Sequence, residues 1–184
     1  MKSVLAIIQF YFACAVFAAA GFPIAWLFFQ RTSSHLVLYG RILGILAACF
    51  LVFWGATLGP LPFNFAGILI ALVIAGGVGA FLARRQGTTM EDISQWWQRN
   101  KRQVIFDEVV FIAALIFFAW LVSYNPRIQG TEKNMDFAFL NALYRSASLP
   151  PHDPWFAGET INYYYGGYMV AALGVSAYVA AVFH

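Results

Sequence analysis

The chain has 184 residues, of which 61% are hydrophobic, 18% aromatic and only 10% charged, where soluble domains carry about 25% charged residues. Its mean hydropathy of +0.70 excludes an ordinary soluble domain. The net charge of +3, from 11 Lys and Arg against 8 Asp and Glu, lies in the connections between apolar runs, so the basic balance reports topology and implies no nucleic-acid partner.

Val4 to Phe29 is apolar except for Gln9 and carries Pro23 near its end, a pattern expected of a first membrane span. The run is too long for the apolar core of a signal peptide and reads as a retained helix. After the polar break Arg31 to His35, Leu36 to Leu58 forms a second span, with Arg41 one turn inside and able to snorkel to the surface. Cys14 and Cys49 fall within these runs and read as small hydrophobes, with no disulfide or metal role expected. Gly59-Pro60-Leu61-Pro62 is a tight uncharged turn.

Phe63 to Ala83 makes a third span whose Gly67, Gly76, Gly77 and Gly79 offer a smooth face for another helix. Arg84 to Gln103 is polar; Thr89 and Asp92 have capping-box spacing, and the segment reads either as a short helix lying on the membrane surface or as a linker anchored by Trp96 and Trp97. Val104 to Tyr124 is a fourth span and Tyr168 to Phe183 a fifth. Near the entry of span four, Asp107 and Glu108 are expected at the interface beside Lys101 and Arg102.

The fold class is therefore all-α: a polytopic transmembrane bundle of about five spans, with a loop bearing a membrane-parallel helix. Residues 1–103 form a three-span region with a basic linker, and residues 104–184 carry span four, the loop 125–167 and span five. The positive-inside rule, weighing Arg31, Arg41, Arg84, Arg85, Arg99, Lys101 and Arg102 against Lys2, Arg127, Lys133 and Arg145, places the loop outside the cytoplasm of a multi-pass cell-membrane protein. The stop at Phe183-His184, directly after a span, suggests the N-terminal portion of a longer chain whose remaining helices would be its partners.

The loop holds the chemistry. If a helix begins at Thr131, Glu132 and Asp136 stand on one face, where they can hold a divalent cation or split their pKa values so that one serves as general base. They can equally stabilise the positive end of that helix, with Lys133 as a surface charge. Pro150-Pro151-His152-Asp153-Pro154-Trp155 is a stiff extended segment, either presenting His152, Asp153 and Trp155 or returning the chain to the bilayer. Asn162-Tyr163-Tyr164-Tyr165-Gly166-Gly167 offers an interfacial aromatic belt or, beside the acids, phenols and ring faces for a sugar or phosphate.

Gly130-Thr131-Glu132-Lys133-Asn134-Met135-Asp136-Phe137-Ala138-Phe139-Leu140-Asn141, then Pro150 to Trp155 and Asn162 to Tyr165, resemble the membrane proteins named for their tyrosine triplet, the Chlor_Arch_YYY family. The chain departs from that pattern at Asn134, where a proline is expected, and at Gly166-Gly167, where an aromatic commonly follows. Members of that family are longer, with more spans, so the resemblance too implies an N-terminal part. The layout is also similar to C-type membrane glycosyltransferases, which use lipid-phosphate-linked sugars. That likeness implies Asp136 or Glu132 as base or metal ligand and Lys133 or Arg145 on a polyprenyl-phosphate donor. Asp153, Trp155, Asn162, Tyr163, Tyr164 and Tyr165 would then line the substrate pocket. The alternative from another class is a non-catalytic membrane component that binds lipid or glycan or supports assembly of a surface complex.

Overall fold

The computed structural model describes residues 2–124 and 133–173. Within them the chain is helical: α1 (Lys2–Phe29), α2 (Leu36–Leu58), α3 (Phe65–Arg85), α4 (Met90–Ser123) and α5 (Lys133–Arg145), then α6 over 166–173. Four of these, α1 to α4, are long and apolar enough to cross a membrane, so the chain is a multi-pass helical membrane protein. Of the segment 168–183 expected as a fifth span, residues 168–173 belong to α6 and the others lie outside the described residues.

Short turns force α1, α2 and α3 to alternate in direction, and all three pairs are in contact. The turn after α1 closes with the Ser33 N–H donating to the Phe29 carbonyl at 3.0 Å. The α2 terminus closes on Gly59, whose φ of 93° lets its N–H reach the Gly55 carbonyl. Asn64 then caps α3, its side chain accepting from the Gly67 N–H at 3.0 Å. The loops 30–35 and 86–89 thus gather at one end, with Arg31, Arg84 and Arg85. The turn 59–64 lies at the other.

The α1/α2 contact is built on glycine. Gly40 and Gly44 form a GxxxG pair on α2 facing Gly21 of α1; a Cβ on Gly21 would overlap the Gly40 carbonyl, and one on Gly44 would overlap that of Phe17. Backbones meet there without side chains between them, which is how helices associate when lipid offers no hydrophobic drive. The glycines of α3 divide. Gly79 receives Pro23 and Ile24 of α1, Gly76 touches Ala20, Gly67 packs under the Pro62 carbonyl, and Gly77 faces open space. The single smooth face expected there is therefore narrower than the sequence suggested.

The polar segment 90–103 and span four are one helix. Nothing between Met90 and Ser123 is Gly or Pro, so no residue ends the helix between its two parts. Its start is the expected capping box: Asp92 accepts from the Thr89 N–H at 2.8 Å and hydroxyl at 2.7 Å, while the Thr89 hydroxyl accepts from the Asp92 N–H. At 34 residues α4 is about 51 Å long, well beyond a hydrocarbon core of about 30 Å.

The buried core falls into two clusters. One joins Phe17, Ala48, Val52, Ala56, Ile68 and Ala71 of α1 to α3 with Leu143 of α5, Leu149, and Met169, Ala172 and Leu173 of α6. The other joins Ala25, Trp26, Leu36 and Ala83 with Trp96 and Val104 of α4. Gly44→Val is expected to destabilise the bundle by about 1–3 kcal/mol through overpacking, read as a shift in detergent-titrated unfolding. Gly77→Val, which meets nothing, is the control expected to leave the midpoint in place.

Candidate functional site

Two polar constellations stand out against the apolar bundle. The first lies inside it. Arg41, in the second turn of α2, is only 4% exposed; its Nη2 donates to both carboxylate oxygens of Glu108 at 2.8 and 3.0 Å. The Tyr11 hydroxyl adds a bond to Glu108 at 2.9 Å, and the Arg41 guanidinium lies 3.9 Å from the centroid of the Phe111 ring. Beside this cluster, Asp107 pairs with the His35 Nδ1 at 2.8 Å and accepts from Gln103 at 2.9 Å. Arg41 does not snorkel, and Asp107 and Glu108 do not pair with Lys101 or Arg102. A carboxylate on a neighbouring helix outcompetes solvent because the glycine contact leaves the arginine no path outward. The sequence signal was the position of Arg41 directly after Gly40 and three residues before Gly44, about 100° and 60° around the helix from the two glycines, whereas Ile42 points away and is 52% exposed.

The second constellation is built on α5. Residues 136, 139, 140 and 143 share one helical face, and Phe139 and Leu143 are buried. That burial turns Asp136 inward, where it accepts from the Tyr168 hydroxyl at 2.6 Å. Phe139 is the hub of an aromatic group: Trp155 stands edge-on at 5.3 Å, Tyr163 stacks at 5.6 Å and Tyr168 lies edge-on at 5.5 Å. Tyr163 and Tyr164 stack on one another at 4.1 Å, with the Tyr163 hydroxyl donating to that of Tyr164 at 2.9 Å. Trp155 and Tyr164 nevertheless keep 58% and 79% of their surface exposed.

The tyrosine triplet splits. Tyr163 and Tyr164 face outward, whereas Tyr165 packs on the main core near Phe53, burial pushing its phenol pKa up; its carbonyl accepts the Met169 N–H that opens α6. Asp153 is engaged in a turn, its Oδ1 accepting the N–H groups of Trp155 and Phe156 at 2.8 and 3.1 Å. An antiparallel bridge between His152 and Thr160 closes the hairpin above it, with Gly158 at a φ of 93° in the return. The segment hangs on the bundle through Phe63, whose N–H donates to the Ala147 carbonyl at 2.8 Å, and Leu149, bonded to Ala56. Leu149-Pro150 is a cis peptide.

Asp136 therefore meets the tyrosine segment, through Tyr168 and the Phe139 group. Arg145 does not join it: it ends α5 on the opposite face, lining a 790 Å³ cleft with Asn141, His152 and Asp153. Lys133 and Asn162 are exposed. Glu132, the expected partner of Asp136, lies outside the described residues, and among the described residues no cluster of three or more His, Cys, Asp or Glu could hold a metal ion. Tyr168, which donates to Asp136 directly, was not among the expected site residues because its position fell in a span.

Four long apolar helices that alternate in direction, with buried ion pairs between helices and an aromatic group carried on a loop, make this a polytopic α-helical membrane protein. Residues 46–182 match the family described as Uncharacterized membrane protein (DUF2298), and the chain belongs to that family. No curated protein and no solved structure is similar enough to match.

Glu108→Leu, which leaves Arg41 buried without its partner, is expected to destabilise the bundle by about 3–5 kcal/mol. The double variant Arg41→Met with Glu108→Leu should recover most of that loss in detergent-titrated unfolding, a result that separates pairing from packing.

Proposed function

We propose that the protein is a membrane glycosyltransferase, or the membrane part of one, moving a sugar from a polyprenyl-phosphate carrier to an acceptor on the non-cytoplasmic side. The observation that carries this reading is the 2.6 Å hydrogen bond from Tyr168 to Asp136 beside the exposed rings of Trp155, Tyr163 and Tyr164. A carboxylate held by one phenol keeps its second oxygen for an acceptor hydroxyl, as a general base requires. Exposed aromatic faces suit the apolar face of a sugar ring.

The likeness of the loop to the tyrosine-triplet proteins and to C-type glycosyltransferases supports the same assignment. The basic cluster formed by Arg31, Arg84, Arg85, Arg99, Lys101 and Arg102 belongs to the end opposite the aromatic group, which supports placing that group outside the cytoplasm. In this reading Lys133 binds donor phosphate near the acid and Asp136 is the base; the alternative role for Glu132 and Asp136 is to hold a divalent cation. Arg145, on the other face of α5, is a second phosphate ligand only if the donor reaches around the helix into the 790 Å³ cleft. Asp153 acts by positioning Trp155, and Tyr165 by anchoring the segment to the bundle.

Asp136→Asn in membranes carrying the protein is expected to lower sugar transfer by about 10²–10⁴-fold while leaving expression and the unfolding midpoint unchanged. Tyr164→Ala tests the competing reading of a non-catalytic lipid- or glycan-binding component. If transfer survives Asp136→Asn, and only Tyr164→Ala weakens the protein, the enzymatic assignment is wrong.

A further inference from the structure

The 790 Å³ cleft on the far face of α5 runs along that helix from Phe137 to Arg145, a rise of about 12 Å at helical pitch. Its opposite wall is the turn and hairpin that follow, through Ser148, His152 and Asp153. Between its ends the helix wall carries Ala138 and Ala142, so small side chains leave the middle of the cleft open. The frame is held in place independently of any ligand. Phe63 and Leu149 bond the turn to the bundle, and the Asp153 Oδ1 holds the hairpin by accepting two N–H groups. The groups left over are of both kinds. Asn141 donates through its Nδ2 to the Phe137 carbonyl at 2.7 Å, which leaves its Oδ1 as an acceptor, and the Asp153 Oδ2 is a second acceptor with no partner among the described residues. The Arg145 guanidinium, the Ser148 hydroxyl and the His152 imidazole are likewise without a side-chain partner among the described residues and supply the donors. At one end the Phe137 ring is 51% exposed.

We infer that this cleft binds a neutral oligosaccharide, with Arg145 and Asp153 holding its hydroxyls and the Phe137 ring covering an apolar face of one sugar. The balance of charge selects neutrality. A phosphate that reached Arg145 would also meet the Asp153 carboxylate, and an ammonium drawn to Asp153 would meet Arg145, so either ion is repelled by one wall. A hydroxyl suffers neither repulsion. It donates to Asp153 or Asn141 and accepts from Arg145 or Ser148, and a chain of sugars repeats that dual character along a groove lined with both partners. The volume lies within the range of small-molecule sites, about 300–1,000 Å³. Asp136 is the residue before Phe137 and stands about 100° around the helix from it, so a glycan seated at the Phe137 end leads toward the carboxylate. That the bound glycan is the acceptor rests on the transferase reading proposed above; that the cleft binds it does not.

The intact protein, held in lipid nanodiscs free of sugar-based detergent, is titrated with maltotriose, mannotriose and triacetylchitotriose, and with trigalacturonate as the anionic counterpart, using saturation-transfer NMR. Saturable binding of at least one neutral trisaccharide, tighter than that of trigalacturonate, is the expected result. Arg145→Gln should weaken it about tenfold. Asp153→Asn keeps the Oδ1 that closes the hairpin and replaces only the second oxygen, and should weaken binding about threefold or more. Asp136→Asn is expected to leave binding in place even where it abolishes transfer, so the cleft and the proposed base are tested apart. Binding of none of the neutral probes, or tighter binding of trigalacturonate, overturns the proposal. So does binding that is unchanged in Arg145→Gln and Asp153→Asn but lost in Tyr164→Ala, which places the saccharide on the aromatic group instead.

Discussion

The bundle depends on an arginine that its own packing prevents from reaching water. Gly21, Gly40 and Gly44 bring α1 and α2 so close that Arg41, between two of those glycines, is enclosed at 4% exposure. A guanidinium cannot shed its proton to escape the cost of burial, so it must be given an anion. Glu108 is that anion, and it sits on α4. A close contact between two helices thus dictates the position of a third. Tyr11 and Phe111 then complete the surroundings, one saturating the carboxylate and the other covering the cation's face.

This matters because α4 has little else to hold it along its outer half. Ile116, Phe117, Phe118, Trp120 and Val122 are all strongly exposed, as expected for a surface facing lipid, where apolar burial provides no drive for association. Polar bonding at Glu108 and Asp107, and the aromatic contacts of Trp96 at the basic end, fix the helix instead. The two anchors also set its register: Trp96 against Trp26, Asp107 against His35, Glu108 against Arg41. A slip of one residue would turn each of these side chains about 100° around the helix and break all three contacts together.

Much of this was legible in the sequence and some was not, for identifiable reasons. The spans were readable because length and hydropathy alone determine them, and the capping box at Thr89 because its two reciprocal bonds depend only on local spacing. The fate of Arg41 was not, since snorkelling and burial begin from the same helix position and differ only in which face meets α1. Treating 84–103 as separate from span four failed for a related reason: a change from polar to apolar composition is a change of solvent and does not break a helix that lacks Gly or Pro. In the loop, the approach of Asp136 to the tyrosine segment followed from sequence pattern, but the splitting of the triplet did not. Consecutive residues outside regular structure point in directions fixed by tertiary anchors, here the Tyr165 carbonyl that opens α6 and the Phe53 ring beneath its side chain.

The same anchors explain why the loop can hold chemistry at all. A connection of this length is ordinarily too mobile to keep a carboxylate and a phenol at 2.6 Å, since ordering each residue costs about 1–2 kcal/mol of backbone entropy. Leu143, Leu149, Ile161 and Met169 are all buried, and each lies a few residues from a polar or aromatic group of the site. Burial of Leu143, Leu149 and Met169 in the bundle core, with the Ile161 N–H bonded to the Pro151 carbonyl, fixes the backbone at intervals, so the segments between them have few conformations left. Asp136 is held through α5, Trp155 through the hairpin closed by Ile161 and Pro151, and Tyr168 through the first turn of α6. Three separately tethered elements converge on Phe139, which makes that ring the structural centre of the site and Asp136 the group whose position it determines.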